Sequence, residues 1–340
     1  MTGRPIRALA LAAVLLLAAG AARAAPLAIR IAWTTVPGQL APVLFAPGPL
    51  AQAGLLRHLG TSYTVETMHF AGSGPMVVAL AAGAIDIAQL APSSFASAVA
   101  NAGMDDLRVI ADGYQDGVPG HYSSEYLVRS DAPIRSIEDL KGKVLAVNVI
   151  DGATDIALQA MLQRHHLADR RDVTVVEGAF PNLLPMLEAR KVDLAALVQP
   201  FSDEAAARGD TRILFRMADA LGRTQMLFDV ARAGFLARNR AALADFFADY
   251  LRALHWLFDP AHRAAAVAEV AAFNHRPASL YAPYLFTVRD SWRDPNARPD
   301  LAALQRNLDA LAALGFVKAH IDVARHADLS FIDAAAQRAR

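Results

Sequence analysis

Twice along this 340-residue chain a short apolar run leads into a turn of glycine, serine or alanine, and then into a stretch with helical spacing. That repetition limits the fold more than any other feature, because short strands alternating with helices build mostly parallel sheets covered on both faces. The first series runs "LAIRIAWTT" (Leu27 to Thr35), a helix near Val43 to Leu59, and the strand "SYTVETMHF". It continues with a helix in "PMVVALAAGA" opened by Pro75 at its first position, a short buried strand "IDIAQL", a helix "SSFASAVANAG" capped by Ser93 or Ser94 and ended at Gly103, and the strand "LRVIADG". The second series begins at "SSEYLVRSDAPI" and passes through a short helix at Ser136–Asp139, the buried strand "KVLAVNV", a helix after "NVIDGATDIALQ", the strand "DVTVVEGAF", the helix "NLLPMLEARKV" and the strand "DLAALVQPF".

Between the series lies "DGYQDGVPGHY" (Asp112 to Tyr122), rich in glycine, and a second crossing falls at "LGRTQMLFDV" (Leu221 to Val230). Two crossings make two lobes on a hinge. The expected division places residues 25–113 and 223–340 in the first lobe and 114–222 in the second. "ARAGFLARN" is expected as a strand returning to the first lobe, and the alanine-rich remainder from Arg240 as helices packed on the lobes, with an apolar stripe in "FFADYLRALHWLF".

The first residues belong to targeting. "MTGRPIR" supplies two arginines, "ALALAAVLLLAAGAA" is an apolar run without charge, and Ala22 and Ala24 place small residues at both positions that a signal peptidase reads. Residues 1–24 are therefore expected to be a leader cut after Ala24, giving a protein of the periplasm. The chain has 33 basic and 33 acidic residues, so loss of Arg4, Arg7 and Arg23 leaves a slightly acidic protein with nothing to attract nucleic acid. With zero cysteines there is no disulfide framework and no thiolate chemistry.

Ligands of open α/β sheets lie beyond the carboxyl ends of the strands, where helix N-termini converge. In "HFAGSGPMVVALAAGAIDIAQLAPSS" the glycine corner leads into a helix whose first N–H groups have no partner, so Ser73, Gly74 and Pro75 can cradle an anionic or polar group. The glycine pair is not a dinucleotide fingerprint, because Val77 occupies the third glycine position. Trp33, Thr34 and Thr35 end the first strand, with Trp33 either a stacking wall or an interior residue. Ser93 and Ser94 can cap their helix, face ligand, or both. Asp86 stands at the start of the next strand. Phe180, Asn182, Gln199 and Phe201 end two further strands, the aromatic pair suiting a planar organic ligand and Asn182 alternatively capping its helix. Tyr114, His121 and Tyr122 are placed in a solvated hinge loop.

Four segments, "FAGSGPMVVALAAGAIDIAQLAPSS", "SIEDLKGKVLAV", "GATDIALQAML" and "LEARKVDLAALVQPF", occur in an order and spacing that resemble the periplasmic substrate-binding proteins of ABC importers, in the nitrate, sulfonate and taurine group that also includes binders of thiamine-precursor pyrimidines. The resemblance implies a type II two-lobed α/β fold, each lobe a mixed, mostly parallel sheet flanked by helices, closing on a small molecule without chemistry. It implies a monomer that serves a membrane permease and its ATPase, with no cofactor and no metal. It also makes the position of Asp86 structural, offers the hinge residues Tyr114, His121 and Tyr122 as pocket side chains, the alternative to a solvated loop, and places Asp151, Thr154 and Asp155 at a helix start facing the cleft. Two acids there depart from the serine and threonine of sulfonate binders. If either meets ligand, a donor, cationic or largely neutral ligand is favoured, whereas an acid in a first helical turn also suits the helix itself. Alternative roles are a sensory protein presenting solute to a receptor, or a pyrimidine binder. No "HExxH" or "GxSxG" occurs, and the pyrimidine synthases of this fold resemble one another in a cysteine-rich motif that this chain cannot contain.

Overall fold

The computed structural model describes residues 25–46, 50, 53–318 and 320–338. The expected leader and its cleavage point lie outside the described residues. Ten strands follow in chain order: β1 (Leu27–Trp33), β2 (Tyr63–His69), β3 (Ile87–Leu90), β4 (Leu107–Asp116), β5 (Glu125–Arg129), β6 (Val144–Val147), β7 (Thr174–Glu177), β8 (Leu194–Leu197), β9 (Thr211–Arg216) and β10 (Thr224–Arg232). They form two five-stranded sheets, ordered β2-β1-β3-β10-β4 and β7-β6-β8-β5-β9. Each sheet has a parallel trio, a fourth strand that runs against it and a fifth that turns back to the trio's direction: β10 is antiparallel to β3 and β4, as β5 is to β8 and β9.

Composition explains the layering. "IAQL" of β3 and "LAAL" of β8 are buried at every position, as strands covered on both faces must be, whereas the edge strand β2 alternates with exposed residues. Helices Arg240–Phe258, Arg263–Phe273 and Ser330–Arg338 cover one face of the first sheet, and Ser73–Ala81, Pro92–Asn101 and Leu301–Ala313 the other. The stripe of "FFADYLRALHWLF" buries Phe246, Phe247, Tyr250, Leu251, Leu254 and Leu257. At the start of β3, Asp86 holds Arg30 through paired contacts of 2.9 and 2.8 Å, a structural role.

The chain leaves the first sheet after β4 and returns before β10, and the two crossings are stapled together. Buried Asp116 accepts from the Ser124 amide and hydroxyl, each at 2.8 Å, and from the Ser123 hydroxyl. Ser123 Oγ in turn accepts from the Ala218 amide of the second crossing at 3.0 Å. Burial pushes the Asp116 carboxyl above its ordinary range. The lobes also touch across the cleft. A Cβ placed on Gly72 would sit 3.5 Å from a Val149 methyl, and Ile156 of the second lobe packs into the cluster beneath the first sheet.

Several local expectations change. Of the helix expected near Val43 to Leu59, the described residues show helix at Ala41–Leu44 and at Leu50, and turns and bends within 53–58. Helix Ser73–Ala81 begins two residues before Pro75, and helix Pro92–Asn101 has Ala91 at its N-cap with no side-chain cap, so Ser93 and Ser94 lie in its first turn. "TQMLFDVAR" is the returning strand, and most of "ARAGFLARN" is the helix Ala233–Arg238. Within the tail, residues 281–300 contain no helix and run as turns along β4, held by Gln115 N donating to Trp292 O at 2.8 Å and Asp112 N to Ala297 O at 2.7 Å.

Candidate functional site

A cleft of about 600 Å³ opens between the sheets at the carboxyl ends of β1, β3, β6 and β8. Its floor includes Thr34 and Thr35 after β1, Ser93 and Ser94 after β3, Asn148 to Thr154 after β6, and Val198 and Gln199 after β8. Four helices start on it: Ser73–Ala81 and Pro92–Asn101 from the first lobe, Ala153–Arg164 and Phe180–Glu188 from the second. Their N-caps are Gly72, Ala91, Gly152 and Ala179, and none has a side-chain cap. Leading N–H groups and positive helix ends from both lobes therefore face one space.

The turns that aim these helices are built from specific contacts. The Gln39 side chain, almost fully buried, accepts from the backbone of Thr34 and, at 3.3 Å, of Thr35, fixing the end of β1. Thr154 donates to Asn148 Oδ1 at 2.6 Å, and its carbonyl accepts from Tyr126 at 2.6 Å. Glu177 accepts from Ile150 N at 2.6 Å. Gly152 cannot carry a side chain, since a Cβ would meet a Val149 methyl at 2.5 Å, whereas a Cβ on Gly74 meets nothing within 4 Å.

Of the residues proposed from sequence, Thr34, Thr35, Ser73, Gly74, Ser93, Ser94, Asp151, Thr154, Phe180 and Gln199 line this cleft. Five do not. Trp33 is turned to the opposite face, edge-on to Phe273 at 5.4 Å and His69 at 4.6 Å. Pro75, third in its helix, is exposed away from the cleft. Asp155 points inward, where its carboxylate accepts from the Asp151 amide at 2.9 Å and the Gln159 amide at 3.1 Å, and burial raises its carboxyl. It thus anchors the Asp151 turn. Asn182 is an exposed residue one turn inside its helix rather than a cap. Phe201 stacks behind Phe180 at 6.5 Å, with the Arg276 guanidinium 5.7 Å from its ring centre.

Other residues at the cleft were not among those proposed. Tyr114 and Tyr122, expected in a solvated loop, are a buried and a half-buried wall: β4 continues to Asp116 and carries Tyr114, and the Tyr122 hydroxyl pairs with Ser202 Oγ at 2.8 Å. Arg293 and Asp290 arrive from the segment after Phe286 and pair at 2.8 Å, their side chains 6% and 5% exposed. The charged run "VRDSWRDP" (Val288 to Pro295) was a visible signal, but nothing local in it points toward a cleft.

Two α/β lobes of matching topology, joined by two crossings and closing on a cleft at the strand ends, define the class of two-lobed periplasmic solute-binding folds. The chain belongs to the NMT1/THI5 like family, whose model matches residues 65–264. It is 31% identical over 162 residues to an ABC transporter periplasmic binding protein of Brachyspira hyodysenteriae. That match covers 43% of this chain and 44% of the relative, so less than half the relative's length is spanned. Among solved structures, the periplasmic aliphatic sulphonate binding protein SsuA of Escherichia coli shares the fold with a TM-score of 0.67 at 21% identity, over 89% of this chain and 92% of that one. The desulfurization enzyme DszB does so with a TM-score of 0.64 at 15% identity, over 92% and 100%. The architecture thus serves both binding and catalysis.

Proposed function

We propose that this protein is the periplasmic solute-binding component of an ABC importer, capturing a small organic ligand between its lobes and presenting the closed form to a membrane permease driven by an ATPase subunit. The observation that carries the reading is the convergence of four uncapped helix N-termini, two from each lobe, on one cleft of about 600 Å³. Such a cleft binds most strongly when both lobes contribute donors, so ligand stabilises closure. Its size suits a small organic molecule, and positive helix ends favour an anionic or strongly polar group of the sulfonate, nitrate or taurine kind.

A binding role is also supported by what lines the cleft. Hydroxyls of Thr34, Thr35, Ser73, Ser93, Ser94 and Thr154 are present, but among the described residues none that lines the cleft is a histidine, so no lining imidazole stands beside these hydroxyls as an activating base. The chain has no cysteine nucleophile. Export by a leader ending at Ala24 and a monomeric state belong to the same proposal.

Native mass spectrometry of protein purified gently from periplasm, followed by thermal-shift screening of sulfonates, nitrate, pyrimidines and aromatic acids, tests it. A bound mass, or a solute that raises the melting temperature by several degrees, is the expected result. Turnover of such a solute would instead favour catalysis on this fold.

A further inference from the structure

At the hinge end of the cleft, three polar groups are arranged with more capacity than they use. Arg293 donates Nη1 to Asp290 Oδ2 at 2.8 Å and to Ser291 O at 3.3 Å, and Nη2 to Pro37 O at 2.8 Å. Its Nε is buried without a partner. Both oxygens of Asp290 are engaged, since Oδ2 also accepts from Phe286 N at 2.9 Å and Oδ1 from Ser291 N at 2.8 Å. Asp290 therefore holds the guanidinium in place. Gln199 donates Nε2 to Asp203 at 2.9 Å and to Arg289 O at 3.2 Å, while its Oε1 is buried without a partner. Gln199 and Arg293 both line the cleft, and Gln199 grips the carbonyl next to Asp290, with the Tyr114 ring centre 5.8 Å from the Arg293 guanidinium carbon.

We propose that this wall recognises a carboxylate carrying an adjacent N–H or O–H donor, with the Nε edge of Arg293 taking the carboxylate and Gln199 Oε1 accepting from the donor. The proposal rests on the reading of the cleft as a ligand site. Nε–H and the remaining Nη2–H form the parallel pair that matches the two oxygens of a planar carboxylate. A tetrahedral sulfonate brings a third oxygen, which at this wall meets an acceptor and leaves Gln199 unsatisfied, at the cost of a buried unpaired polar group. Specificity here is thus set by a residue pair from two lobes, one of them in the segment after Phe286.

The test uses the purified protein labelled with 15N-arginine, following the Arg293 Nε–H resonance while adding acetate, glycolate or methanesulfonate. Arg293→Lys, which keeps the charge but not the planar edge, identifies the signal, and Gln199→Leu removes the acceptor together with the Nε2 bonds to Asp203 and Arg289 O. The expected result is a saturable shift with glycolate about tenfold tighter than acetate, the weight of one well-placed hydrogen bond, and methanesulfonate weaker than both. In Gln199→Leu the preference for glycolate over acetate should vanish while acetate binding persists. If the lysine variant does not fold, that contrast still decides the matter in the wild-type background. Methanesulfonate binding as tightly as glycolate, or an Arg293 signal unmoved by all three, overturns the proposal. A solute that raises the melting temperature with the Arg293 signal fixed would remove this assignment and leave the cleft as the ligand site. No response of either kind across the solutes removes both.

Discussion

Gly117 and Gly222 meet backbone to backbone where the two crossings pass: a Cβ placed on Gly117 would lie 2.8 Å from the Gly222 carbonyl oxygen and 3.1 Å from the Ala218 methyl. Gly117 also has a φ of +72°, which an L side chain rarely adopts. The hinge is therefore built for contact rather than slack. Gly117→Ala should cost about 2 kcal/mol of stability from strain and displacement together, read as a lower urea midpoint with an unchanged slope. An unchanged midpoint would show that the crossings can separate freely.

Two buried carboxylates in the first sheet make stability depend on pH. Asp112 and Asp229 are each pushed up to about 7, from an ordinary 3.8, chiefly by burial. Below 3.8 both folded and unfolded chains hold these protons. Between about 4 and 7 the unfolded chain releases them while the folded one keeps them, so stability is lost as pH rises through that window and levels off above it. Asp229 Oδ1 accepts from Gln89 Nε2 at 3.0 Å, and Gln89 Oε1 is buried without a partner, an arrangement completed by a donor at position 229. Asp229→Asn supplies that donor. It should raise stability at pH 8 by on the order of 2 kcal/mol, change it little at pH 4, and flatten part of the pH slope measured by denaturation. An equal effect at both pH values would place the cause in packing.

Gly74 separates binding from folding. Since a Cβ there meets nothing within 4 Å, Gly74→Leu leaves the helix intact and fills the cleft. Affinity for any solute found by screening should fall at least about tenfold, while the melting temperature of the free protein moves by no more than about 2 °C. Equal loss of both would reduce the glycine corner to scaffold.

Asp151 and Asp155 should divide their roles. Asp155→Ala removes the acceptor that anchors the Asp151 turn, and should lower stability by about 1 kcal/mol, as loss of a helix cap does. Asp151 has a φ of 60°, a conformation that asparagine tolerates, so Asp151→Asn should leave stability within about 0.5 kcal/mol and alter the ranking of charged against neutral solutes in a binding screen. A reversed pattern would put Asp155 at the ligand.

The strand and helix series was legible because each buried strand is a continuous apolar run and each small-residue turn marks a helix start. Asp86 was placed by the family resemblance and not by its neighbours in sequence, because the partner it needs, Arg30, lies 56 residues earlier on β1. "ARAGFLARN" misled because Phe235 and Leu236 suit a strand or a helix over so few residues, and the register of β10 had already used the preceding segment. Trp33 lay one residue short of the cleft, on the face that the period-two alternation of β1 turns toward Phe273. Arg293 was invisible for a different reason: its position is set by long-range bonds to Pro37 and by the pairing of Trp292 with Gln115, which leave no local period to read.

The placement of β10 has a consequence for how the chain matures. The second sheet is made from one continuous stretch, Glu125 to Arg216, whereas β4 joins the first sheet only through β10, which begins at Thr224. A polypeptide emerging from its N-terminus can finish the second sheet while the first still lacks its joining strand, so early in synthesis β3 and β4 each expose an edge. The first lobe is then the later and more aggregation-prone to form, and a holding chaperone would find its strands there.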